Sequence, residues 1–421
     1  MDRTDFSMWA WLGPGSMPLQ SRKSVVQESR PDYLTAWHLT PPVIVARIGI
    51  ISLRQAGGIP QWCFPPVFQS RRLTPMKSRL IALLLTVIST SLFAGPLTYQ
   101  PDANQANGKK LVFIASDHEY RSEETLPALA RIMAKHHGFE CVVVFGIDEK
   151  DGTIVAGKSN LPGIEALDDA DGLVIFTRFL APPDEQMKHL DAYLNHGGPV
   201  VALRTSTHGF RYPKDSESSY RKYHFQYDGE EYLKGFGHQV QGQTWVGHYG
   251  KNHQQSTRIT IEPGKETHPI LKGVSDIWVH VGGYNAEPQD DWNILTTAQP
   301  LMSMEQDGEP DPSKPPKASE WTRTYKNSPD GKEGRSFTSL YGTSEDILNE
   351  GYRRMLVNAI YWSIGMEDKI EGDSSIEFVG PFKPNTFSGK GQAKGIKPSA
   401  YEGFESPIPA HNDTGGPKRS F

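Results

Sequence analysis

The chain has 421 residues, with 44 Lys and Arg against 49 Asp and Glu and a formal net charge of −5. So small a charge, spread along the chain, offers no basic stripe to nucleic acid and no cationic face to an anionic membrane. Of the two cysteines only Cys141 lies beyond the N-terminal stretch, so a packed core rather than a disulfide framework has to hold the protein together.

Residues 1–75 are Pro-rich, with scattered Trp9, Trp11, Trp37 and Trp62, and keep no period of 3.6 or 2. They read as a non-native upstream translation or a disordered extension. Residues 76–94, MKSRLIALLLTVISTSLFA, read as a signal peptide. Lys77 and Arg79 supply the positive start, and the apolar core is shorter than the roughly 20 residues of a membrane span. Ala94 offers a cut site, although Leu92 is bulky for its position. The expectation is translation from Met76, export to the periplasm or beyond, and no stable membrane anchor after cleavage.

The predicted domain covers residues 108–365. Residues 110–115 (KLVFIA) form a first buried strand, followed by a polar loop and a helix with Leu126, Leu129, Ala130 and Met133 on one face. Gly138 closes that helix, and residues 141–145 (CVVVF) form the second strand. Residues 173–176 (LVIF) give a third strand, a helix opens at Pro182-Pro183-Asp184, and residues 199–203 (PVVAL) give a fourth. The segment 205–254 has no period and is crowded with Tyr, Gly, His and Gln; long irregular stretches inside domains are often functional. Short strands follow at 256–261, 293–296, 320–325 and 335–339, then a helix over 347–363. Residues 366–421, rich in Pro, Gly, Ser and Lys, read as an extended or disordered tail.

Strands alternating with helices, each strand almost wholly apolar, predict an α/β fold of one domain: a doubly wound, mostly parallel sheet with helices on both faces. Ligands bind such sheets at the carboxyl ends of the strands. That rule selects Asp117, His118, Glu119 and Arg121 after the first strand, and Arg204, Ser206, Thr207 and His208 after the fourth. The irregular segment can bring Tyr223, His224, His238, His248 and Tyr249 to the same edge.

Several pieces of this domain resemble the trehalose-utilisation (ThuA-like) family, whose fold is that of the class I glutamine amidotransferases and is flavodoxin-like. They are Ser116-Asp117-His118-Glu119-Tyr120-Arg121, the turn Arg204-Thr205-Ser206-Thr207-His208-Gly209-Phe210, and Leu233-Lys234-Gly235-Phe236-Gly237-His238. His268-Pro269-Ile270 with Gly273, Glu320-Trp321-Thr322-Arg323-Thr324-Tyr325, Gly334-Arg335-Ser336-Phe337 and Asn358-Ala359-Ile360-Tyr361-Trp362 follow in the family's order. Many relatives carry an acidic D-E-x-Y motif after the HP piece. Here that stretch is Gly282-Gly283-Tyr284-Asn285, where the tyrosine survives without the acids.

The fold's amidotransferases place a cysteine at the turn after a core strand. This turn carries Arg204 and no cysteine, and Cys141 reads as a buried apolar residue, which disfavours glutamine-dependent amide transfer. Ser206 either caps the next element or is a nucleophile activated by a histidine. Imidazole suits acid/base work or metal binding, and His118, Glu119, His208 and His238 together could hold a divalent metal, though no tight ligand spacing marks one. The resemblance implies a small-molecule carbohydrate as partner, a trehalose-type disaccharide or keto-sugar, with His118, His208 and Glu119 as acid/base candidates. Arg204, His238, Tyr284, Tyr223 and Asp117 are then the substrate-binding candidates. A sugar-binding module without turnover and a metal-dependent hydrolase are the alternatives.

Overall fold

The computed structural model describes residues 95–389 and 394–410. The N-terminal extension, the signal peptide and the last residues of the tail lie outside them. In chain order the elements are β1 (Leu97–Tyr99), β2 (Lys110–Ser116), α1 (Ser122–His137), β3 (Glu140–Phe145), β4 (Gly172–Thr177), α2 (Asp184–Asn195) and β5 (Val200–Leu203). There follow β6 (Thr257–Ile261), β7 (Ile277–Val279), β8 (Asn293–Pro300), β9 (Lys317–Lys326), β10 (Glu333–Ser339) and α3 (Glu350–Ser363).

Among the described residues the strands join one ten-stranded sheet in the order β1-β3-β2-β4-β5-β10-β9-β8-β6-β7. The run from β3 to β10 is parallel, while β1 and everything from β9 outward pair antiparallel. The sheet is therefore mixed rather than mostly parallel, a correction to the sequence expectation. Hairpin-like connections after β8 and β9 need no crossover helix, so antiparallel pairing is available there.

Residues along β2 show how the core divides. Leu111, Phe113 and Ala115 pack with Leu126, Leu129 and Met133 of α1 and with Tyr352, Met355 and Leu356 of α3. Val112 and Ile114 point the other way and pack with Met187, Leu190 and Leu194 of α2. A strand covered on both faces has to be apolar at every position, which is why β2, β4 and β5 read as unbroken apolar runs. Gly138 ends α1 in the left-handed region at φ 75°, with its N–H bonded to the Met133 carbonyl. A Cβ there would stand 2.0 Å from the Gln105 carbonyl oxygen, so only glycine fits.

The C-terminal segment folds back along α1. Tyr99 donates its hydroxyl to the Tyr401 carbonyl at 2.8 Å, and Arg131 reaches both Tyr401 and Ser406. Asn385 donates its backbone N–H and its side-chain amide to Glu124 at 2.8 and 2.9 Å. Among the described residues no helix is long and apolar enough to cross a membrane.

Candidate functional site

Strands β2, β4 and β5 lie side by side and run the same way, so the loops that leave them share one edge. Backbone hydrogen bonds join the three. The Arg178 N–H donates to the Ser116 carbonyl, Phe179 N–H to that of His208, and Leu180 N–H to that of Gly209. Phe179 and Arg204 both sit at positive φ, 57° and 41°, without being glycine. Such backbone costs about 1–3 kcal/mol per residue and persists only where its surroundings over-determine it.

Asp117 fastens the first loop. Its Oδ1 accepts from the backbone N–H of Glu119 at 2.8 Å and from that of Tyr120, and its Oδ2 accepts from Thr205 Oγ1 at 2.8 Å. Both oxygens of a fully buried carboxylate are thus spent on the protein. Asp117 holds the β2 and β5 loops together and is a positioning residue rather than a substrate-binding one. Ser206 is similarly committed: its hydroxyl donates to the Ile175 carbonyl at 2.9 Å and accepts from Thr177 N–H. These bonds tie the loop after β5 to β4, and no side chain caps the turn that Ser206 sits in.

His208 lies at the centre. Its ring is 5.1 Å from Phe179, 5.4 Å from Trp245, 5.7 Å from Tyr284 and 6.2 Å from Phe225, centroid to centroid. Thr207 Oγ1 donates to the Arg204 carbonyl and stands 3.1 Å from His208 Nδ1. With the hydroxyl proton engaged there, Nδ1–H donates to Thr207 and Nε2 keeps the lone pair. Burial, aided by the positive charges of Arg178 and Arg204, holds this imidazole well below its ordinary pKa. It is a neutral proton acceptor throughout the physiological range.

Two further imidazoles share that field. His118, half-buried, stands 6.1 Å from Phe179, and His248 stands 5.2 Å from Tyr284 and 5.9 Å from Trp245. Burial lowers the pKa of each. Asp117 opposes the shift at His118, and Glu119 opposes it at both. The Glu119 carboxylate forms an ion pair with the Arg178 guanidinium, and both side chains remain partly exposed at 21% and 18%.

Arg204 forms the floor. Its guanidinium carbon is 3.9 Å from the Tyr120 ring centroid and 4.4 Å from that of Tyr284, and it donates to the carbonyls of Leu340 and Gly282. Tyr284 is buried, which raises its phenol well above the ordinary pKa although Arg204 pulls the other way. It is neutral and keeps its proton.

The structure thus brings His118, Glu119, Arg204, His208 and Tyr284 around one edge, with Asp117 beneath them. Two candidates fall elsewhere. Tyr223 is fully buried against α2, its hydroxyl between Asp191 Oδ1 at 2.7 Å and Asn327 Oδ1 at 3.1 Å. Its aromatic neighbours belong to the packing that seats the irregular segment. His238 has Lys234, Arg323 and Asp291 as charged neighbours, none of them part of the His208 cluster. The four-residue metal set of the sequence reading is therefore split. Among the described residues no group of three or more His, Cys, Asp and Glu could hold a metal ion.

Sequence reasoning passed over Arg178 and Phe179, and counted Trp245 only among the aromatics of the irregular segment. Strand order would have found the first two: β4 lies between β2 and β5, so its Arg178–Phe179 turn has to stand between their loops. Trp245 sits in the segment without a period and carried no signal beyond its residue type.

No family model matches the chain, and no curated protein matches it. Among solved structures it is similar to a ThuA-like protein from Parabacteroides merdae, at 15% identity and a TM-score of 0.39, over 70% of this chain and 99% of that one. A ThuA-like protein from Bacteroides uniformis is similar at 12% identity and a TM-score of 0.38, over 63% of this chain and 95% of the other. A cytoplasmic protein from Salmonella typhimurium follows at 13% identity and a TM-score of 0.32, over 61% and 98% of the two chains. Two of these three similar structures are ThuA-like proteins, the family whose motifs the sequence resembles.

Proposed function

We propose that this chain is an exported ThuA-like protein of carbohydrate utilisation that binds a sugar beside His208 and acts on it by proton transfer. The single observation that carries this reading is the meeting of His118, His208 and His248 with the Glu119–Arg178 pair over an aromatic floor. In this reading a sugar ring lays its apolar face on Trp245 or Phe179. Its hydroxyls meet the imidazoles and Glu119. His208 Nε2, neutral and held in one tautomer, accepts a proton from a hydroxyl or from a carbon next to a ketone. The Arg204 cation and the protonated Tyr284 stand where an oxyanion would be stabilised. The finer likeness of the sheet to the class I glutamine amidotransferase fold belongs to the same reading, with Arg204 at the strained turn where those enzymes carry cysteine.

Calorimetric titration of the protein with a trehalose-type disaccharide and with a keto-sugar tests this. His208→Ala is expected to weaken binding tenfold or more, or to abolish turnover. Unchanged behaviour would remove His208 from the site. A binding module without turnover is the second reading, favoured by the four aromatic rings around His208; binding with no product formed would select it. For export, the mature protein recovered from the cell envelope or medium should begin near residue 95.

A further inference from the structure

A cavity of about 390 Å³ opens beside the candidate site, lined by Lys214, Arg221, His224, Gln226 and Asp228 together with Tyr212, Pro213 and Tyr227. Its charge is unbalanced. Lys214 and Arg221 line it, Arg211 and both of those cations act on the His224 imidazole, and Asp228 is the one acidic side chain in the lining. Among the described residues neither Lys214 nor Arg221 has an ion-pair partner; the nearby Lys222 takes Asp191 instead. Like charges gathered in a concavity repel one another, and a bound anion relieves that cost.

A run of packed rings links the cavity's His224 to the site. The His224 ring lies tilted 5.2 Å from that of Phe225, and Phe225 lies 5.3 Å from Phe179 and 6.2 Å from His208. The Arg211 guanidinium lies over the Phe179 ring at 5.2 Å, and that of Arg178 lies over the same ring at 5.0 Å. Phe179 thus touches His208 of the imidazole cluster and carries Arg211, one of the cations acting on the cavity's His224.

We infer that this cavity is an anion subsite and that the ligand is a sugar carrying one phosphate or carboxylate group, its ring beside His208 and its anion between Lys214 and Arg221. This rests on the sugar reading and names its substrate class. Arg221 Nη1 donates to the Lys214 carbonyl at 3.0 Å, which leaves the other guanidinium donors of Arg221 and the mobile ammonium of Lys214 to meet either a tetrahedral or a planar oxyanion.

The test titrates the full chain with glucose 6-phosphate, glucuronate, inorganic phosphate and neutral glucose, for the wild type and for Lys214→Gln/Arg221→Gln. At least one anionic sugar is expected to bind tenfold or more tighter than glucose, and the double variant to lose that advantage while its affinity for glucose is unchanged. Which of the two anionic sugars binds better tells phosphate from carboxylate. Because the double variant could disturb the loop, Asp228→Asn provides the opposite sign: removing the lone acid is expected to tighten anion binding severalfold, a gain that misfolding cannot produce. Anionic and neutral sugars binding alike, or anions binding the double variant as they bind the wild type, overturns the subsite and leaves the sugar reading intact. Inorganic phosphate bound by the wild type and lost in the double variant, with no sugar bound by either, keeps the anion site and overturns the sugar reading.

Discussion

Asp117 and His208 show how differently two buried polar groups can serve one edge. Asp117 accepts from two backbone N–H groups and a threonine hydroxyl, so Asp117→Ala strands two buried donors and one part-buried donor. Each orphaned group costs about 1–3 kcal/mol, and the loss is expected as a lowered urea midpoint with an unchanged slope. His208 works through its protonation. The unfolded chain takes up a proton near the ordinary histidine pKa of about 6.5, whereas the folded site does so only at much lower pH. Below about pH 6.5 the unfolded state therefore binds more protons, and stability falls as the pH falls. His118 and His248 contribute with the same sign, as does His137, which burial lowers to about 4. His208→Gln is expected to flatten part of this acid limb, read from urea melts at pH 7.5 and 5; an unaltered difference between the two would contradict a neutral buried His208. Glu119→Gln should act in the other direction on its neighbours. Without that carboxylate the pKa values of His118 and His248 are expected to fall further in an NMR titration. Because the ion pair is partly exposed, global stability should move by no more than about 1 kcal/mol.

At the scale of elements, the parallel strands were legible in the sequence because burial on both faces forces apolar runs. Their order was not. β10 enters beside β5 after more than a hundred intervening residues, and no local pattern encodes that pairing. β1 and β7, three residues each, are too short for any period to register. For the site, the rule that strand ends face ligands found the loops after β2 and β5. It could not sort the tyrosine-rich segment, where residue type is the only signal. Tyr223 there serves packing against α2, while Trp245 and His248 reach the edge. The tail was read as extended or disordered; within it Phe387 is fully buried, stacked at 4.2 Å on His253 and at 5.3 Å from Tyr120. Tyr120 in turn carries Arg204, so this segment braces the site floor. Phe387→Ala is expected to cost about 3–5 kcal/mol in a thermal or urea melt. A loss under 1 kcal/mol would mean that the segment is not docked in solution.

At the scale of the described molecule, three imidazoles held below their ordinary pKa and two strained non-glycine residues, Phe179 and Arg204, meet at the edge formed by β2, β4 and β5. A ligand that selects the native state stabilises it by mass action, by about 2.7 kcal/mol at a hundredfold excess over its dissociation constant. The same ligand has to touch the edge residues first. The most direct measurement is therefore an NMR titration of the imidazole resonances with the best-binding sugar. Shifts confined to His118, His208 and His248, and to His224 when the sugar is anionic, are the expected result. Binding that moves His238 or His268 and leaves those three unmoved would contradict the placement of the site.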